Sequence, residues 1–301
     1  MARESTARRR EHPPLSIRLA ARGLDGITLL VVPAVVFVLL LFVYPFLYGL
    51  WLSFQPKEGG WLANYAKFFA DPFLYETIGK TLWIAVPATL FNVAVSVPVA
   101  MRVRLMRRQR LLTTILILPI TLGTVLVAEG MLNYLGPKGW MNQSLMFLGL
   151  IDRPIRLVHN YWGVFLSLVI TGFPFTFLLT LSYITGIDPS LEQAAATLGA
   201  NARQRFSQVV LPLLASGLAI TFCLSFVQAF AVFPSAVLLG APAGPTRVIS
   251  IAAYEAAFEQ YDYSLASAIA MVMALVQLVI VIAVLAGRAL LYRGSASGAK
   301  G

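Results

Sequence analysis

Charge is what this chain lacks most. Only 12% of its 301 residues are charged, about half the share of a soluble domain. With 58% hydrophobic residues and a mean hydropathy of +0.78, most of its length must face lipid or other apolar helices. Cysteine is nearly absent too. The single Cys223 excludes an internal disulfide, and its apolar surroundings mark it as a small buried residue. His12 and His159 are the only histidines and lie far apart, so no Cys/His metal site is expected. No nucleophile–base constellation stands out, and no catalytic residue is assigned. A phosphate loop is also missing. The only Gly-Lys-Thr is Gly79-Lys80-Thr81, and Leu74 stands where the first glycine of that motif should fall. Energy for any transport must come from another polypeptide or from an ion gradient.

Long apolar runs are abundant. Six are long enough for a bilayer helix of about twenty residues: Ile27–Phe54, Ile78–Val103, Leu111–Leu135, Tyr161–Tyr183, Leu213–Leu239 and Leu265–Leu290. They predict an all-α polytopic membrane protein. A basic tail (1–26) precedes a six-helix domain (27–290), which contains a polar loop at 184–212, and a short tail (291–301) follows. Pro33 and Pro45 are expected to kink the first span. The arginine-rich start leads into a span too long for a cleavable signal.

Basic residues set the expected orientation. Sixteen fall on one side: Arg3, Arg8, Arg9, Arg10, Arg18 and Arg22, then Arg102, Arg104, Arg107, Arg108 and Arg110, then Arg203, Arg205, Arg288, Arg293 and Lys300. Seven fall on the other: Lys57, Lys67, Lys80, Lys138, Arg153, Arg156 and Arg247. Both termini and the 184–212 loop are therefore expected in the cytoplasm. The Arg8-Arg9-Arg10 run reads as orientation and anionic-lipid contact rather than nucleic-acid binding. On the opposite side, Ile251–Tyr261 has the pattern of a short amphipathic helix, after a turn-rich start at Gly240.

The loop carries the sharpest motif. From Gln193 it reads Q-A-A-x3-G-x9-V-x-L-P, with Glu192 just before. It resembles the Glu-Ala-Ala loop of the permease subunits of binding-protein-dependent ATP-binding-cassette importers. The resemblance extends to the arginine-rich start, Tyr44-Pro45-Phe46…Ser53-Phe54 and the six spans. It implies the type I importer permease fold and a bacterial inner-membrane location. Glu192, Gln193, Ala194, Ala195, Gly199, Arg203, Phe206, Leu211 and Pro212 would then couple the chain to an ATPase. It further implies a second related permease as heterodimer partner, two ATPase subunits and a periplasmic solute-binding protein. No cofactor is implied for this chain; ATP and Mg²⁺ belong to the partner subunits. Ala195-Ala196-Thr197-Leu198-Gly199-Ala200 has Leu198 where sugar importers usually carry Asp, a form similar to permeases for polyamines, iron, sulfate and 2-aminoethylphosphonate. A polyamine such as spermidine or putrescine is the leading solute on that resemblance, with a sugar, phosphonate or inorganic ion as alternatives. One departure matters: Gln193 occupies the usual Glu position, which puts a salt bridge from there to the ATPase in question.

Candidates for the solute path are Glu129, Asn133, Phe226, Gln228 and Phe230. Glu129 is a rare intramembrane carboxylate and shares a helix face with Asn133. It reads either as path lining or as a group reaching headgroups or a subunit contact. Phe222, Phe226 and Phe230 form a stripe that reads as path or as helix packing. Asn92 with Ser96, and Gln277, read as interhelical hydrogen-bonding groups. An ion-coupled secondary transporter would need broken helices with ion ligands at the midplane, and six spans with so few intramembrane charges count against it. The orientation is checked by thiol labelling in intact cells, with Cys223 replaced. A cysteine at the amino terminus is expected to resist an impermeant reagent while one at Gly59 reacts; labelling of the terminus from outside would reverse the assignment.

Overall fold

A computed structural model describes residues 26–291. The tail arginines Arg3 to Arg22, together with Arg293 and Lys300, lie outside the described residues, so the tails are not characterised. Every regular element among the described residues is helical, and six helices are long and apolar enough to cross a membrane. The chain divides into two compact units, 1–52 and 53–301. In the first, α1 (Gly26–Val38) and α2 (Tyr44–Ser53) are joined by a π-helical turn at Leu39–Val43. In the second, α3 (Ala63–Ala70) leads into α4 (Pro72–Val103), α5 (Gln109–Leu135), α6 (Trp140–Phe147) and α7 (Tyr161–Thr185). Then come α8 (Pro189–Thr197), α9 (Ala202–Arg205), α10 (Leu211–Phe230), α11 (Pro234–Leu238), α12 (Ile249–Tyr254) and α13 (Tyr263–Leu291).

Prolines explain two irregularities. A proline lacks the N–H that bonds residue i−4, and its ring clashes with that carbonyl. One residue before Pro45 and again before Pro212, the helix widens by one residue. The Tyr44 N–H reaches back to the Leu39 carbonyl, and the Leu211 N–H reaches the Phe206 carbonyl in a π-turn at Phe206–Val210. The expected kink at Pro45 thus takes the form of a π-bulge. Helix starts are equally legible. Asp71 caps α4 by accepting from the Phe73 N–H at 2.9 Å, with Pro72 in the first turn. That cap places the start of the second span at Pro72, six residues ahead of the Ile78 expected from hydropathy. The fifth span is shorter than expected. It ends at Phe230 rather than Leu239, because Pro234 disfavours helical geometry at Phe233, and α11 restarts with the proline in its first turn. The third span is also interrupted, at Gly123, whose φ of +73° no helix allows.

Packing in the second unit centres on α4, α7 and α10, which contact one another most extensively. Helix α5 lies against α7, and α13 against α10 and α12. Apolar association alone does not hold helices together in lipid; close packing and interhelical hydrogen bonds do. Ser96 meets Thr180 at 2.8 Å, Thr176 meets Ser225 at 2.8 Å, and Ser167 meets Ser235 at 2.8 Å. Gly217 makes room for the Tyr183 ring. Cys223 is buried and free, as its apolar setting predicted.

Opposite the α8 end, Arg247 is 1% exposed. It donates to the Phe73 carbonyl at 3.0 Å, pairs with Glu255, and lies 3.5 Å over the Phe73 ring. It ties the α12 segment to the start of α4, and the expected Ile251–Tyr261 helix is seen as α12 with a π-turn at Glu255–Glu259. Arg247→Ala removes a buried guanidinium and leaves the half-buried Glu255 carboxylate and the Phe73 carbonyl without their donor; it is expected to cost about 2 kcal/mol, seen as a lower thermal midpoint of the detergent-solubilised protein. Arg247→Lys keeps the charge but loses the forked geometry, so it recovers only part of the loss. An unchanged midpoint in the alanine variant would remove this clamp from the account of stability.

Candidate functional site

The loop between the fourth and fifth spans is a set of short motifs joined end to end. Asp188 caps α8 by accepting from the Ser190 N–H at 2.9 Å. That backbone bond, joined by the Ser190 side chain, holds the Asp188 carboxyl below the usual carboxylate range. At the other end, Gly199 takes φ +86°. Its N–H bonds the Ala196 carbonyl at 3.0 Å, and the Ala200 N–H bonds that of Ala195 at 3.0 Å. This is a Schellman stop, and its left-handed position needs glycine. Asn201 and Gln204 then form a reciprocal capping box, both bonds 2.9 Å, that starts α9.

Helix α8 buries no side chain. Leu191 is 45% and Leu198 89% exposed, and with Ala194 they lie at i, i+3 and i+7, one apolar stripe on an otherwise polar loop. Gln193, Ala194, Gly199 and Arg203 are exposed, while Ala195 is half-buried. Phe206 packs on the apolar cluster formed by Val97, Ala100, Phe177, Ile184 and Leu214, so it anchors the loop to the bundle. Leu211 and Pro212 sit exposed at the start of α10. Glu192 has a partner inside the chain: its carboxylate accepts from Arg104, the residue that ends α4, at 2.5 Å. The pair closes a groove of about 490 Å³ that also includes Gln193 and Arg205. The Glu192 carboxylate is thereby committed to bracing α8 against the second span.

The five path candidates are not brought together. Phe226 and Phe230 are fully buried and lie ring to ring, tilted at 5.4 Å, along α10 in the main apolar cluster. Glu129 and Asn133 lie on an exposed face of α5 and bond each other, the Asn133 amide donating to the Glu129 carboxylate at 3.3 Å. Gln228 alone faces a cavity of about 110 Å³ between α4, α7 and α10. Asn92 and Ser96 make the interhelical contacts expected of them, Asn92 donating to the Leu168 carbonyl at 3.2 Å. Gln277 donates to the Val227 carbonyl at 3.3 Å. Sequence reading missed Arg104, which is 88 residues from its partner Glu192 and was counted only as a topology charge. It also missed Asp188 and the Asn201/Gln204 box, although Asp-Pro and Asn-x-x-Gln are readable helix-start signals.

Residues 92–294 match the sequence profile of the family described as binding-protein-dependent transport system inner membrane component. The spermidine/putrescine transport system permease protein PotB of Haemophilus influenzae is 31% identical over 218 residues, 69% of this chain and 76% of that protein. PotB of Salmonella typhimurium is 32% identical over 181 residues, 60% of this chain; the match spans 63% of that protein, less than two thirds of its length. The sulfate transport system permease protein CysT of Salmonella typhimurium is 28% identical over 254 residues, 83% of this chain and 88% of that protein. Among solved structures, a chain of a bacterial ABC transporter involved in import of the acidic polysaccharide alginate superposes with a TM-score of 0.75 at 23% identity. It covers 89% of this chain and 96% of that one. That likeness establishes the fold.

The Arg104–Glu192 brace is tested by hydrogen exchange at the α8 amides. Arg104→Ala and Glu192→Ala are each expected to speed exchange about two- to fivefold, the scale of a partly exposed ion pair. The double variant is expected to be no faster than either single one. Independent, additive effects would show that the pair does not hold α8.

Proposed function

The chain belongs to the family of binding-protein-dependent transport system inner membrane components, membrane transport subunits rather than enzymes, and from that premise we propose that it is a permease subunit of an ATP-driven importer. In this reading both termini and α8 are cytoplasmic. Each of two ATPase subunits, holding ATP and Mg²⁺, docks on a coupling helix, and α8 is the one this chain supplies. A related permease completes the channel as a heterodimer, and a periplasmic binding protein delivers the solute. The observation that carries the reading is the exposed stripe Leu191–Ala194–Leu198 on a helix capped at both ends and braced to the second span. A helix that buries nothing within its own chain, yet is held this firmly, suits a partner's cleft.

Motion of the ATPases would reach the membrane by two routes. One runs through Glu192 and Arg104 into α4, the other through Phe206 and the π-turn into α10. Coupling then resides in a rigid loop that moves with its partner. The leading solute is a polyamine such as spermidine or putrescine, supported by the Leu198 form of the loop and by the PotB relatives. Sulfate is the second reading, favoured by the CysT match over a larger share of the chain. Glu129 with Asn133 would offer a cationic solute compensating charge along α5.

Copurification is the direct check: ATPase subunits are expected to elute with the chain from mild detergent, and their absence would refute the importer reading. Gly199→Val meets no neighbour, so its effect is confined to the left-handed turn. Valine there costs about 1–2 kcal/mol and is expected to misdirect α8, cutting solute-stimulated ATP hydrolysis about tenfold while insertion is retained. Wild-type stimulation in that variant would disprove the coupling role of the turn.

A further inference from the structure

The cavity between α4, α7 and α10 has a polar lining in which three of six side chains are fixed as acceptors. Six side chains supply it: Asn92, Thr124, Thr171, Ser225, Gln228 and Ser235. Asn92 is 3% exposed. Its amide nitrogen donates to the Leu168 carbonyl; a carbonyl can only accept, so this bond fixes which end of the amide is oxygen. That oxygen is buried and has no hydrogen-bond partner among the described residues. Gly172 is what lets Asn92 sit there, since a Cβ at 172 would fall 2.7 Å from the Asn92 amide nitrogen.

The hydroxyls follow the same accounting. Each carries one proton. Thr171 donates its proton to the Ser167 carbonyl at 2.7 Å. Thr176 donates to the Gly172 carbonyl at 2.9 Å, so in the Thr176–Ser225 contact the donor must be Ser225. Thr171 and Ser225 are left with lone pairs only. Gln228 and Thr124 can turn either way, the Ser167–Ser235 contact can be donated from either side, and none of the lining residues is ionisable.

Two chain breaks meet at this cavity. Thr124 follows the Gly123 break in the third span, and Ala231 to Phe233 form the gap between α10 and α11. Broken helices at membrane depth occur where backbone lines a cavity or is buried in protein. The carboxyl end of α10 also brings the negative pole of its helix dipole to the lining.

We propose that this cavity is a solute-contact site for an ammonium group, with Asn92 Oδ1, Thr171 Oγ1 and Ser225 Oγ as fixed acceptors. The proposal rests on the importer reading and decides between its two solutes. A protonated amine carries three N–H donors and no acceptor, which matches the three fixed acceptors. Sulfate is all acceptor: only Gln228, Thr124 and Ser235 could turn a donor toward it, while the three fixed groups would present lone pairs and no lining residue is a cation. Neutral acceptors hold an amine weakly enough to let it leave, as conduction requires. The volume of about 110 Å³ accommodates a few waters at roughly 30 Å³ each, hence an ammonium head and its first methylenes.

The test uses the whole complex, with its permease partner, ATPases and binding protein, in proteoliposomes. Putrescine, spermidine and sulfate are the probes. ATP-driven uptake of an amine and none of sulfate is expected. Asn92→Leu and the shape-conserving Thr171→Val are each expected to raise the amine KM about tenfold, with maximal rate falling far less. Asn92→Asp restores an acceptor and is expected to bring the KM back toward wild type. Gly199→Val is expected to do the reverse, lowering the rate with KM unchanged. Uptake of sulfate, uptake of neither amine, or amine KM within twofold of wild type in both Asn92→Leu and Thr171→Val would overturn the site while leaving the importer reading intact wherever ATPases copurify. Failure of the ATPases to copurify would instead remove the importer reading, and the site with it.

Discussion

Within an apolar slab every backbone N–H and C=O must find a partner in the protein, and the architecture follows from that demand. Proline and glycine strain it, and the chain answers each in a specific way. Before Pro45 and Pro212 the helix widens into a π-turn, so the carbonyl that would clash is moved aside without a free end. At Gly123 and at Ala231–Phe233 the helix does break, and the second break is covered: Ser250 donates to the Val232 carbonyl, and Val232 bonds the Ala229 carbonyl at 3.3 Å. Irregular backbone is placed beside polar side chains, in the only surroundings that tolerate it.

Much of the fold was legible because long apolar runs leave few choices. The first, third, fourth and sixth spans lie within a few residues of where hydropathy put them. The errors are instructive. Glu76 and Lys80 dilute the start of the second span, and hydropathy discounted a turn that Asp71-Pro72 marks as helical. Val237 to Leu239 are apolar enough to extend the fifth span, although Pro234 ends it. Hydropathy averages over a window, whereas caps and prolines act at single residues. Where the two disagreed, the single residue was right.

The candidate site divides in the same way. Gly199 was readable because its requirement is local: a helix stop with positive φ needs glycine. The role of Glu192 was not readable, since its partner Arg104 comes from another loop and nothing in the intervening sequence announces the pairing. Asn92 was correctly read as a helix–helix contact from its place in an apolar span, but only half of it is used that way. Sequence cannot show that one end of an amide is satisfied and the other is not. The aromatic stripe illustrates the opposite hazard. Phe226 and Phe230 looked suited to a solute, and the core takes both.

The placement of charge ties these observations together. At one end of the bundle Arg104 pairs with Glu192; at the other, Arg247 pairs with Glu255. Both pairs join loop segments to the two ends of α4, the helix that also carries Asn92 at its middle. Between them the contacts are hydroxyls and amides, each worth about 1 kcal/mol net. Strong interactions therefore fix the ends, and weak ones line the interior. In the proposed reading the chain holds a partner firmly and a solute briefly, and that distribution serves both. A carboxylate in the cavity would bind an amine more tightly, but it would carry a heavy desolvation cost whenever the site stood empty. Neutral acceptors avoid that cost, and so the scarcity of charge first seen in composition becomes a property of the site itself.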